Sequence, residues 1–288
     1  MSGSLLLLLG TVFLRPYVFV FLLVYLIAAS AHIGPRTTAV YLFLGYVLAW
    51  ISEYSSIHWG FPYGDYYYIP ETMDRELWVF GVPFMDSLSY VFLSYCSYSM
   101  AIFLLSPILA VRGHVLILET RALRRSLETL VLGAFLFVLL DIIIDPVALQ
   151  GHRWFLGKIY GYRVPGLYFG IPMSNFGGWL LVGFVLIGAL QWLDRFKWLQ
   201  PKRFSIFNQL PGIPFLGPIL YLSILVFNLI VTFWIGETLL GMVGCLILFY
   251  PLLLGILMTR YKFRNPTPGA VEKHFHDFPV LQKDLRTR

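Results

Sequence analysis

The sequence predicts an all-α fold, a polytopic bundle of about seven transmembrane helices with two structured, aromatic-rich loops capping the outer side. Three observations carry this. Of 288 residues, 58% are hydrophobic and only 12% charged, about half the charged share of a soluble domain. The mean hydropathy is +0.75. Apolar runs of the roughly 20 residues needed to cross a bilayer follow one another and leave no room for a separate folded unit. A water-soluble enzyme is excluded. Residues 1–260 read as a single transmembrane helical domain and 261–288 as a basic tail.

In order, the expected spans are 5–31, 38–55, 88–111, 127–144, 176–193, 216–235 and 239–259. Arg15-Pro16 interrupts the first, since proline lacks an N–H and clashes with the preceding turn, and can split it into an interfacial piece and a short span. Met1-Ser2-Gly3-Ser4 has no basic start, so this run is expected to be retained rather than cleaved as a signal peptide. Pro146 is expected to stop the fourth span at Asp145, because the residue before a proline is steered away from helix. The loops 56–86 and 145–175 are rich in Gly, Pro and aromatics, unlike disordered linkers. Such segments sit at headgroup level or fold back into the bundle.

The net charge of +6 suggests a nucleic-acid partner only in a soluble protein. Sixteen of the 21 Lys and Arg lie in alternate loops and the tail, and four in the opposite loops. That asymmetry implies a multi-pass protein of the cell (inner) membrane with a cytoplasmic C-terminus, and no nucleic acid. Cys96 and Cys245 lie in apolar runs without a CxxC neighbour, so neither a disulfide scaffold nor a zinc site is indicated.

Ionisable groups at membrane depth cost about 2.5–3.5 kcal/mol each to insert and mark function. Asp141 and Asp145, at i and i+4 near the end of the fourth span, fall on one helical face. Two carboxyls so close in an apolar setting do not both ionise readily, which suits a general acid. The alternative is a capped helix end meeting Arg153 or Arg163. Glu53 closes the second span, followed by His58-Trp59-Gly60-Phe61-Pro62-Tyr63-Gly64-Asp65-Tyr66-Tyr67-Tyr68. An interfacial aromatic belt explains the tyrosines there but not the carboxylates of Glu53 and Asp65. Asp86 is one of six acids from Glu53 to Asp86 against the single Arg75. Asn175, at the start of the fifth span, reads by default as an N-cap, with Gly177 and Gly178 allowing close packing and Trp179 a candidate interfacial anchor.

Several chemistries are excluded. The six histidines form no HxxxH or HxxHH box, as a membrane di-iron enzyme needs. No lysine lies within a span for a retinal Schiff base, and no nucleotide-binding or GxSxG motif is placed to work. Asp141xxxAsp145 matches one prenyltransferase Asp-rich motif loosely, but the second is missing.

Four blocks together, Phe61-Pro62-Tyr63-Gly64-Asp65-Tyr66-Tyr67-Tyr68, Gly81-Val82-Pro83-Phe84, Asp141 to Ala148 with Gly151 and Trp154, and Tyr168-Phe169-Gly170-Ile171-Pro172-Met173-Ser174-Asn175-Phe176-Gly177-Gly178-Trp179, resemble the carotenoid biosynthesis protein family. Its characterised members are carotenoid 1′,2′-hydratases, and the resemblance runs from about Thr38 to Leu193. It implies a cofactor-independent hydratase that adds water across the terminal C1=C2 bond of an acyclic carotenoid end, with no metal. Asp141 or Asp145 would be the proton donor, Glu53 or Asp65 would orient water, and Asn175 and Tyr63 would hydrogen-bond this set. His58, Trp59, Tyr66, Asp86, Trp154, Tyr168, Phe176 and Trp179 would meet the substrate. The implied partners are a hydrophobic carotenoid or isoprenoid, the lipid bilayer and other carotenoid-pathway enzymes. The rivals are a cyclase or prenyltransferase-like enzyme and a non-enzymatic polyene or lipid carrier.

Overall fold

An apolar run with arginine and proline at its middle cannot pass straight through hydrocarbon, and the chain turns there. In the computed structural model, which describes residues 3–111, 114–196, 198–199, 212–264 and 269–278, this run is two helices. They are α1 (Gly3–Leu14) and α2 (Pro16–His32), bent by 92° at the break. The remaining helices are α3 (Pro35–Trp59), α4 (Phe84–Leu105), α5 (Arg121–Arg124), α6 (Leu127–Leu149), α7 (Met173–Leu193), α8 (Leu216–Trp234), α9 (Thr238–Arg264) and α10 (Ala270–Asp277), and the short strands are β1 (Tyr66–Tyr68), β2 (Trp78–Val79), β3 (Val82–Pro83), β4 (Ile108–Val111), β5 (His114–Ile117) and β6 (Tyr160–Tyr162). Among the described residues six helices are long and apolar enough to span a membrane, and seven spans result if the bent pair counts as one. The basic positions Arg112, Lys197, Lys202 and Arg203, and the tail beyond 278, lie outside the described residues.

Two expected boundaries are corrected. The run 88–111 is helical only to Leu105; Ser106-Pro107 ends it, and β4 (Ile108–Val111) then pairs with β5 (His114–Ile117) as an antiparallel hairpin. The fourth span does not stop at Asp145: α6 carries Pro146 within it and runs to Leu149. Side chains from the following loop take the carbonyls at this end. Trp154 Nε1 donates to the Val147 carbonyl at 3.0 Å and the Tyr160 hydroxyl to that of Asp145 at 3.2 Å. Those bonds tie the end of the helix to the loop that follows, and the Val147 carbonyl is one that the last turn leaves without an intrahelical partner.

The buried Arg15 fixes the bend. Its guanidinium meets Glu76 at 3.0 and 3.2 Å and the Leu156 carbonyl, and Glu76 also accepts from the Thr72 hydroxyl. The Thr11 hydroxyl oxygen accepts from the Leu77 N–H at 2.8 Å. The corner between α1 and α2 is thereby tied to both long loops.

At the centre stands α4, packed against α2, α3, α6, α7 and α8. Its serines permit that crowding. They are small, and Ser94 and Ser97 satisfy their hydroxyls on the Tyr90 and Leu93 carbonyls one turn back, at 2.6 and 2.8 Å.

The end of the bundle away from the long loops is closed by charge. Arg124 lies against Glu119 at 2.7 Å and near Asp194 at 3.6 Å, and His32 bridges Glu119 and the Tyr95 hydroxyl. Burial alone would raise the Glu119 carboxyl, but Arg124 and His32 outweigh it and hold it far below the usual carboxylate range. The tail returns to this node. α9 runs through the expected boundary at residue 260, and α10 docks with His274 Nδ1 on the Glu119 carbonyl at 2.7 Å and Asp277 on the Arg121 N–H at 2.8 Å.

Candidate functional site

The two long loops join over the opposite end. β1 (Tyr66–Tyr68) pairs antiparallel with β6 (Tyr160–Tyr162), with Tyr66 opposite Tyr162 and Tyr68 opposite Tyr160. Successive side chains on a strand face opposite sides. Tyr66, Tyr68, Tyr160 and Tyr162 therefore turn one face into the bundle, while Asp65 and Tyr67 take the other.

Beneath that face lie carboxyl groups from three helices. Glu53, from the last turns of α3, accepts from the hydroxyls of Tyr66, Tyr90 and Tyr68, the last at 2.8 Å. Asp86, at the start of α4, also contacts the Tyr68 hydroxyl, so the single hydrogen of that phenol is shared between two carboxyls. On α6, Asp145 accepts from Tyr160 at 3.0 Å and Tyr162 at 3.1 Å. The Asn175 side-chain amide donates to Asp145 at 2.8 Å and to Asp141 at 2.9 Å. Asn175 lies inside α7, and Pro172 occupies the N-cap position, so its amide serves the aspartates rather than the helix end. Asp141 is fully buried, and its Oδ1 has no hydrogen-bond partner.

Burial first, and then Asp86 and Glu53, push the Tyr68 phenol well above its ordinary value. Burial and Asp145 do the same for Tyr160 and Tyr162. These phenols keep their hydrogens and act as donors to the carboxyls. An aromatic wall adjoins them: Trp179 stacks on Tyr90 with centroids 4.6 Å apart and packs on Phe137 at 4.6 Å, with Tyr63 at 6.3 Å. Tyr63 is fixed by a 2.9 Å hydrogen bond between its hydroxyl and that of Ser52.

This packing depends on Gly178, where a Cβ would come within 2.6 Å of the Pro62 carbonyl oxygen and of the Tyr63 ring. Gly178→Ala is expected to destabilise the protein by about 1–3 kcal/mol through overpacking, read as a lower unfolding temperature in detergent micelles.

Glu53, Tyr63, Tyr66, Asp86, Asp141, Asp145, Asn175 and Trp179 thus come together, and Tyr168 packs edge-on against Phe176 beside Asn175. Four expected site residues stand apart. Asp65 faces outward, 65% exposed, and pairs with Arg163 at 2.9 Å; strand alternation is the reason. His58 stacks on Tyr54 at the end of α3, and Trp59 beside it is 73% exposed. Trp154 is buried on another side of α6, among Tyr17, Phe155 and Phe227. The basic partners weighed for the aspartate pair are engaged elsewhere, Arg153 with Glu237 and Arg163 with Asp65.

Tyr90, Tyr160 and Tyr162 were not expected as site residues, nor Tyr68 as the bridge between two acids. The Tyr-x-Tyr alternation at 66–68 and 160–162 is the signal that marks most of them. Among the described residues no three His, Cys, Asp or Glu side chains converge as a metal centre needs.

A family model described as carotenoid biosynthesis protein matches residues 2–251. No curated protein and no solved structure matches the chain.

Proposed function

The chain belongs to the carotenoid biosynthesis protein family, and on that premise we propose that it is a membrane-embedded hydratase. It adds water to the terminal C1=C2 bond of an acyclic carotenoid end by acid catalysis. One observation supports this above the others: two carboxyls, Asp141 and Asp145, converge on the amide of Asn175, and one of them keeps a buried oxygen free.

The donor inventory divides their roles. Asp145 accepts from Tyr160, Tyr162 and Asn175, which suits a carboxylate; Asp141 accepts from Asn175 and shares a hydrogen bond with Asp145, a contact between two carboxyls that requires one of them to carry the proton. Asp141 is the proton donor. Its O–H breaks as a C–H forms at C2, leaving a tertiary cation at C1. Ring faces attract such a cation, and Tyr90, Trp179 and Tyr63 offer them. Water then bonds to C1 and returns a proton to the carboxylate, so the cycle closes on side chains with no cofactor. Glu53, held by three phenols, keeps the aromatic wall in register. Asp65, outside the cluster, has no part in it. The substrate is an oil dissolved in the bilayer, and the protein sits in the cell membrane with its C-terminus in the cytoplasm, a placement that the excess of Lys and Arg in alternate loops supports.

Purified protein given an acyclic carotenoid in micelles tests the reading. A product heavier by one water is expected. A product of unchanged mass would indicate a cyclase, and absence of turnover a carrier; either result overturns it.

A further inference from the structure

The Asp141 Oδ1 atom is not the only buried oxygen without a partner beside the site. The Tyr168 hydroxyl is another. Native interiors leave few such atoms unpaired, and each calls for a ligand or water. Tyr168 is held in place by its loop: the Ile171 N–H bonds to its carbonyl at 2.9 Å, and Gly166 bonds to the Gly170 carbonyl at 2.9 Å. Phe169 takes a left-handed φ of 49° between them. The Tyr168 ring packs on Phe176 at 5.7 Å, next to the Asn175 that binds Asp141. Burial and the nearby Asp141 both raise the Tyr168 phenol above its ordinary value, so it keeps its hydrogen and can donate. Val164, Gly166 and Leu167 of the same loop line a surface cleft of about 310 Å³ with Asp65 and Ser174.

We infer that Asp141 Oδ1 and the Tyr168 hydroxyl are the two walls of a seat for one water molecule, the nucleophile of the reaction. This rests on the hydratase reading. Tyr168 is a positioning residue: it orients the water toward C1 once Asp141 has protonated C2. The water oxygen bonds to C1, its O–H breaks, and the proton goes back to Asp141 Oδ1. One carboxyl thus acts as acid and then as base, on the same face of the double bond.

Tyr168→Phe, assayed in D2O beside the wild type, separates the steps. Protonation that is not followed by water capture reverses, and the recovered substrate then carries deuterium. The variant is expected to lose hydration by about 100-fold, as for removal of one aligned donor, while deuterium still enters recovered substrate. Hydration at the wild-type rate overturns the seat, and so does loss of hydration and exchange together in a folded variant. An experimental density map of the wild type gives a readout independent of turnover. A water within hydrogen-bond reach of both oxygens supports the seat; a direct Tyr168–Asp141 hydrogen bond overturns it. A wild type that neither hydrates nor exchanges overturns the parent reading instead, and the map then judges the seat alone.

Discussion

Asp141→Asn is expected to abolish hydration in a protein that still folds. Asparagine has the shape of aspartate and still meets Asn175, but it has no acidic proton to give. Loss of a positioned acid costs about 10²–10⁴-fold in rate, and an isolated alkene offers no easier site of protonation. In carotenoid-producing cells the hydroxylated product should fall below detection by mass spectrometry, with the protein still present in the membrane fraction. Asp145→Asn should retain part of the activity, since Asp145 is engaged by Tyr160, Tyr162 and Asn175 and positions rather than donates. Wild-type hydration by both variants would remove the pair from the mechanism.

The largest expected effect on stability lies at the bend. Arg15 and Glu76 are 1% and 0% exposed and face one another at 3.0 Å. Truncating one partner of a buried ion pair leaves the other charge uncompensated, at a cost of about 3–5 kcal/mol. Arg15→Met and Glu76→Gln, each alone, should lower the unfolding temperature in micelles sharply. The double substitution should recover part of the loss, because it leaves no orphan charge. Single variants as stable as the wild type would show that the corner between α1 and α2 is held by something else.

Much of this was legible in the sequence, and the physical reason differs from feature to feature. Hydrocarbon tolerates no unpaired backbone, so the spans show as apolar runs. Asp141, Asp145 and Glu53 stood out because charge at membrane depth is expensive. Asp65 stood out as a carboxylate that an aromatic belt does not explain, but only the strand that follows decides which way it faces. Pro146 looked like a stop signal, and locally it is one; Trp154 and Tyr160, from another segment, hold the last turn in place. Arg15 and Glu76 carry no local pattern that links them, and only the fold brings them together. The tyrosine alternation was visible in each loop, yet nothing near Tyr66 says that its partner is Tyr162.

That pairing has a consequence for how the protein can change. Because β1 and β6 are one ribbon, each loop steadies the phenols that the other hangs over an acid. An insertion or register slip around Tyr160 would be felt at Glu53 as well as at Asp145, and one around Tyr66 would be felt in reverse. The two loops are bound to a joint history, and neither can drift on its own without unseating a group that its neighbour serves.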